Sequence, residues 1–149
     1  MKRAVLILCG IFLSINAFSQ IGDFGMGLIL GNPTGLSVKL WTGQITAIDA
    51  SLGYRYGGVN DLYLNSDFLF HFWSIQKDEG VIKVYFGAGA GLGFTSDFSV
   101  VIRAPGGSAL FLDNFPLELF AEIVPTLQVM GVGDTRFRFE GYIGARWYF

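Results

Sequence analysis

The chain has 149 residues, 52% of them hydrophobic, 16% aromatic and only 15% charged, with 21 glycines and a formal net charge of −2. This composition excludes disorder. Beyond the N-terminus no stretch offers the roughly 20 consecutive apolar residues of a spanning helix. No basic patch is present to attract nucleic acid.

The first nineteen residues read as an export leader. Lys2 and Arg3 form a positive n-region, Ala4 to Leu13 an apolar h-region too short to span a bilayer, and Ala17-Phe18-Ser19 a small-x-small cleavage site before Gln20. Residues 20–149 then form one domain. Cleavage removes Cys9, the only cysteine, so no disulfide can form after export. It also removes two positive charges, leaving 8 Lys and Arg against 12 Asp and Glu.

From Gly22 onward apolar residues recur with period two, the mark of strands with two unlike faces. The first run, 22–31, alternates Phe24, Met26, Leu28 and Leu30 with Asp23, Gly25 and Gly27; the second, 35–41, sets Leu36, Val38 and Leu40 against Ser37 and Lys39. The third, 44–55, opposes Ile48, Ala50, Leu52 and Tyr54 to Asp49, Ser51, Gly53 and Arg55. In the fourth, 62–72, Leu62, Leu64, Phe68, Phe70 and Phe72 alternate with Tyr63, Asn65, Asp67 and His71. The fifth, 81–94, carries Ile82, Val84, Phe86, Ala88, Ala90, Leu92 and Phe94 on one face and Lys83, Tyr85 and four glycines on the other. The sixth, about 98–112, contains Pro105-Gly106-Gly107, which predicts a bulge or kink and leaves its parity open.

The seventh run, 117–127, alternates Leu117, Leu119, Ala121 and Ile123 with Glu118, Phe120, Glu122 and Val124. The eighth, 135–149, alternates Phe137, Phe139, Ile143, Ala145, Trp147 and Phe149 with Arg138, Glu140, Tyr142, Gly144, Arg146 and Tyr148. Turn residues such as Asn32-Pro33-Thr34-Gly35, Lys77-Asp78-Glu79-Gly80 and Asp113-Asn114-Phe115-Pro116 separate the runs. Eight tilted strands with short connections need roughly 120 residues, which the chain after its leader supplies with little to spare.

Thirteen of the twenty charges beyond the leader fall within these runs, on the face opposite the apolar one: Asp23, Lys39, Asp49, Arg55, Asp67, Lys83, Arg103, Glu118, Glu122, Arg136, Arg138, Glu140 and Arg146. Alternation alone is shared by a soluble lipid-binding barrel with an apolar lining and by a membrane barrel with an apolar exterior. Three features favour the membrane barrel. The polar face interleaves glycine with tyrosine, as a narrow, crowded lumen requires. Its six acids and seven bases can pair where little water reaches them. Trp41, Trp73 and Trp147 end the second, fourth and eighth runs at one interface, with Tyr54 near the other, as aromatic girdles do.

The terminal Tyr142-Ile143-Gly144-Ala145-Arg146-Trp147-Tyr148-Phe149 resembles the assembly signal read by the outer-membrane insertion machinery, with Trp147 and Phe149 as its apolar positions. The chain after its leader resembles the small eight-stranded outer-membrane barrels of the OmpA-domain and OmpX type. Residues 31–39, Pro116-Leu117-Glu118-Leu119-Phe120-Ala121-Glu122 and the glycine-rich last run are similar to an uncharacterised family of such barrels found in spirochaetes and other Gram-negative-type bacteria. The resemblance implies a closed antiparallel eight-stranded up-and-down transmembrane β-barrel in the bacterial outer membrane. It brings no catalytic residues and no cofactor.

Other chemistry finds little support in the residues. Gly87-Ala88-Gly89-Ala90-Gly91-Leu92-Gly93 has a strict spacing of two and never forms a G-x-G-x-x-G loop. His71 is expected inside near Asp67, with Ser66 on the opposite face, so no nucleophilic triad assembles. One histidine and no cysteine after the leader argue against a transition-metal site. The remaining candidates are the interior ions Lys39, Asp49, Arg55, Asp67, Lys83, Arg103, Glu118, Glu122, Arg138, Glu140 and Arg146. Glu118 and Glu122 are expected to face Arg138 and Glu140, with Arg103 reaching them from the sixth run. The expectation is a monomeric, non-enzymatic barrel with a plugged lumen and a structural or envelope-stabilising role, in contact with outer-membrane lipid. Alternatives are a narrow gated conduit or small-ligand barrel, and then a lipid-modifying enzyme.

Overall fold

The computed structural model describes residues 22–56, 61–94, 98–131 and 135–149; the expected leader, residues 1–19, lies outside the described residues. The strands are β1 (Phe24–Asn32), β2 (Thr34–Trp41), β3 (Thr46–Arg55), β4 (Asp61–Lys77), β5 (Gly80–Phe94), β6 (Phe98–Arg103), β7 (Gly106–Leu112), β8 (Leu117–Met130) and β9 (Arg136–Tyr148). All pairings are antiparallel. β6 and β7 together fill the one place between β5 and β8, and β9 returns to pair with β1 from Gly25↔Tyr148 to Asn32↔Gly141. The result is an up-and-down ring in which every strand has a partner on each side, so the ladder's backbone groups are satisfied within the sheet.

The sixth expected run is split by Ala104-Pro105. Its parity nevertheless holds, because Gly89↔Arg103 and Tyr85↔Gly107 keep the same one-to-one register with β5. Pro105 has no N–H to give the ladder, but its carbonyl accepts from Gly87 N at 2.8 Å, and Ala104 N donates to Pro125 O at 3.0 Å. The proline interrupts the strand without inserting a residue. β4 runs five residues beyond the expected end because a bulge between His71 and Trp73 shifts its pairing with β5. Phe72 and Trp73 are consequently both exposed, and the alternation from which the run is read ends there.

The two faces of the ring differ completely. Outward positions carry large apolar side chains such as Leu28, Leu30, Leu52, Phe68, Ile102, Ile123, Phe139 and Ile143, all well exposed. Among the described residues the exposed charges are Lys77, Asp78, Glu79 and Asp113 at the turn end and Arg136 at the other, with none on the outward face between. Inward positions hold buried ions and tyrosines, together with Ile29, Leu69, Val101, Phe120 and Val124. Gly91 meets the Tyr63 ring and Gly144 the Phe120 ring so closely that a Cβ at either position would overlap it. Missing side chains thereby make room for large ones, the packing rule of a narrow interior.

One expected girdle residue is placed differently. Trp41 has the parity of Ser37 and Lys39 and turns into the ring, 4.4 Å centroid to centroid from His71 and 5.8 Å from Phe111. Its position two residues after Lys39 already carried that information. Trp73, Trp147 and Tyr54 are exposed on the outside, as is Phe149.

Candidate functional site

Among the described residues nine charged side chains are buried inside the ring: Lys39, Asp49, Arg55, Asp67, Arg103, Glu118, Glu122, Glu140 and Arg146. The strand register brings them together from β2, β3, β4, β6, β8 and β9. Their hydrogen bonds divide into two clusters stacked along the interior.

The cluster nearer the turn end centres on Glu118. Its Oε1 accepts from Lys39 Nζ at 2.9 Å and from Arg146 Nη1 at 3.2 Å, and its Oε2 from the Tyr148 hydroxyl at 2.6 Å. Arg146 reaches further: Nη2 donates to Asp49 Oδ2 and Nε to Ser37 Oγ at 2.8 Å, while the guanidinium carbon stacks 3.7 Å from the Phe120 ring centroid. One arginine thus bridges two carboxylates, as its fork of donors permits. Lys39 Nζ also lies 3.2 Å from His71 Nε2. An ammonium can only donate, so Nε2 accepts and the ring proton sits on Nδ1, 3.3 Å from the Ile45 carbonyl oxygen. His71 is therefore a structural acceptor wedged between Trp41 and Tyr85. It does not meet Asp67, and Ser66 faces outward.

The second cluster joins Glu122 to Arg103. Tyr85 donates to Glu122 Oε1 at 2.7 Å and Tyr142 donates to Oε2; Arg103 Nη2 in turn donates to the Tyr142 hydroxyl at 2.9 Å. Arg103 Nη1 lies 3.3 Å from the Tyr63 hydroxyl and 3.4 Å from Glu140 Oε2. Its Nε sits 2.9 Å from Asp67 Oδ1 without hydrogen-bond alignment, which makes that pair Coulombic. Arg55 Nη1 reaches Glu140 Oε1 at 3.2 Å and its guanidinium lies 4.3 Å from the Tyr63 ring centroid.

The expected ladder across the last two strands is corrected by this geometry. Opposite Glu118 and Glu122 on β9 stand Arg146 and Tyr142, while Arg138 stands opposite Thr126, half exposed and with no ion pair among the described residues. The two strands pair in a register that sets Arg138 and Glu140 opposite Thr126 and Val124. Arg103 reaches Glu140 and the Tyr142 hydroxyl in place of the two glutamates of β8. Lys83 is half-buried at the turn end against the Trp41 and Phe111 rings, outside both clusters. The tyrosines, read from sequence as bulk filling a lumen, are its polar ties; four hydroxyls on the charged parity were the available signal.

Glu122 is held by two hydroxyls, with no cation within 4 Å among the described residues. Glu122→Gln is expected to lower the unfolding temperature in detergent, but by less than loss of an ion pair: charge-assisted hydrogen bonds are worth about 1.5–3 kcal/mol, and glutamine keeps one acceptor oxygen. An unchanged temperature would mean the two tyrosines do not depend on the carboxylate. Among the described residues no three His, Cys, Asp or Glu side chains gather as a metal site.

Comparison with known proteins yields one informative likeness. No protein family and no curated protein sequence matches the chain. Among solved structures it is similar to the N-terminal β-barrel domain of Pseudomonas aeruginosa OprF, with a TM-score of 0.62 at 14% identity, over 87% of this chain and all of that domain. At that identity the likeness is one of fold: this chain is an all-β antiparallel ring of the kind that forms the OprF barrel domain.

Proposed function

We propose that the chain is an eight-stranded outer-membrane β-barrel whose lumen is plugged by paired ions and whose role is structural, stabilising the envelope without catalysis. The observation that carries this reading is the outward face: a belt of exposed, largely apolar side chains rich in Leu, Ile and Phe, with the exposed charges among the described residues confined to its two ends. Such a surface is far larger than the few hundred square ångströms of apolar patch tolerated in water, and it matches the lipid-facing band of a transmembrane barrel. The OprF fold likeness supports the same location. In this reading residues 1–19 are a cleaved leader, the insertion machinery reads Trp147 and Phe149, and the barrel is a monomer contacted by lipid.

The interior supports a plug over a channel. An eight-stranded barrel has an interior just wide enough for side chains to fill, too narrow for an open aqueous channel, and here Arg146, Lys39 and Glu118 are fully buried across it. Among the described residues the hydrogen-bonding partners of His71 are the Lys39 ammonium and the Ile45 carbonyl, with no hydroxyl or thiol beside it. The test is cell fractionation with gel mobility before and after boiling, followed by planar-bilayer recordings. The expected result is a heat-modifiable protein in the outer-membrane fraction that leaves bilayers silent. A soluble, heat-insensitive protein would overturn the membrane reading, and steady conductance would replace the plug with a conduit.

A further inference from the structure

The ring's turn end, where β2 meets β3, β4 meets β5 and β7 meets β8, holds a cavity of about 270 Å3. Trp41, Phe111, Phe115, Pro116 and Tyr148 contribute to its wall, and Lys83 is its charged lining residue. The Lys83 ammonium lies 4.5 Å from the Trp41 ring centroid and 5.4 Å from that of Phe111. Among the described residues no carboxylate oxygen comes within 4.0 Å of it.

Lys39 approaches the same two rings, at 4.8 and 5.5 Å, but it is held by Glu118 at 2.9 Å. Glu118 acts on Lys83 only at a distance and makes no hydrogen bond or close ion pair with it. One of its oxygens is shared by Lys39 and Arg146, and the other takes the Tyr148 hydroxyl. The cavity therefore presents three N–H donors without a carboxylate, set among aromatic walls. The rings stabilise the ammonium through their faces, yet they cannot supply the charge-assisted hydrogen bonds a carboxylate would.

We propose that this cavity is a binding site for a small organic carboxylate, its anionic group on Lys83 and its apolar body against Trp41, Phe111 and Phe115. At 270 Å3 the space lies just under the about 300–1,000 Å3 of drug-sized sites. It suits one ring or a short chain. In the barrel reading the site faces the same compartment as the turns, but the proposal depends only on the fold and is testable in detergent.

The probe is 3-phenylpropionate, with its alcohol analogue 3-phenylpropanol as the uncharged control. Trp41 emission is followed in a Trp73→Phe/Trp147→Phe background, and calorimetry on the unaltered chain provides the second reading. The expected result is a saturable response to the acid, at least tenfold weaker for the alcohol, and at least tenfold weaker in Lys83→Met. Lys83→Arg, which keeps the charge, is expected to stay within a few-fold of the parent, and gel mobility before boiling verifies that each variant is folded. Absence of a saturable response, equal binding of the alcohol, or undiminished binding by folded Lys83→Met would each overturn the proposal.

Discussion

Replacing Arg146 with methionine is expected to cost about 3–5 kcal/mol of stability, the penalty for removing one partner from a buried ion pair. The guanidinium serves Asp49, Glu118 and Ser37 at once and stacks on Phe120. Methionine preserves the apolar contact with Phe120 and removes every charge-assisted bond. Glu118 keeps Lys39 and Tyr148, but Asp49 is left inside the ring with the Ser37 hydroxyl, at 3.4 Å, as its side-chain hydrogen-bond partner among the described residues. The loss should therefore concentrate on Asp49. Asp49→Asn in the Arg146→Met background is expected to recover part of it, since it removes the orphaned charge. The measurement is the urea midpoint of unfolding from detergent or lipid vesicles, following tryptophan emission. A midpoint unmoved by Arg146→Met would mean that the interior cluster contributes nothing to stability, and recovery absent from the double variant would move the cost away from Asp49.

The second large effect concerns volume. Gly91 leaves the space that the Tyr63 ring fills, and Tyr63 in turn supports Arg103 through its hydroxyl and Arg55 through its face. Gly91→Leu is expected to destabilise by about 1–3 kcal/mol through overpacking. Tyr63→Ala should cost about 3–5 kcal/mol, as truncation of a buried aromatic does. Because the two side chains compete for one space, the pair should be non-additive: Gly91→Leu/Tyr63→Ala is expected to be more stable than the sum of the single losses allows. A strictly additive cycle in equilibrium unfolding would show that glycine at 91 answers some demand other than the Tyr63 ring.

Both arguments rest on residues whose side of the sheet could be read in advance. Lys39, Asp49, Asp67, Glu118, Glu122 and Arg146 all share a parity opposite the leucines and phenylalanines of their strands. A β-strand turns successive side chains to opposite faces, so one-dimensional order already sorts the two sets. What parity cannot provide is the offset between neighbouring strands. Sliding β9 by four residues against β8 leaves every side chain on its own face while exchanging Arg146 for Tyr142, and Tyr142 for Arg138, as partners. For that reason the expected ladder chose the right glutamates and the wrong arginine.

Three further details depended on three-dimensional context. The fourth run was cut short at Phe72 because a bulge places two consecutive large side chains outside, and a bulge is decided by what the neighbouring strand requires. Pro105 invited the opposite error. It lacks a ladder donor, which reads as a bulge, whereas the strands on both sides hold register through it. Trp41 belonged to the inward parity throughout, but tryptophan at a strand end also suits a membrane interface, and only the packed rings of His71 and Phe111 decide between the two.

By itself the sequence determined the strand count in runs, the all-β class, the division of each strand into a charged and an apolar face, and the pairing of glycine with bulky side chains. Each follows from the two-residue period of an extended chain, a local property. The tertiary structure decided which face is enclosed, how far each strand slides against the next, and so which acid meets which base. Those are set by closing the ring, where β9 must meet β1 in one register and the buried donors and acceptors must be matched within the same small space.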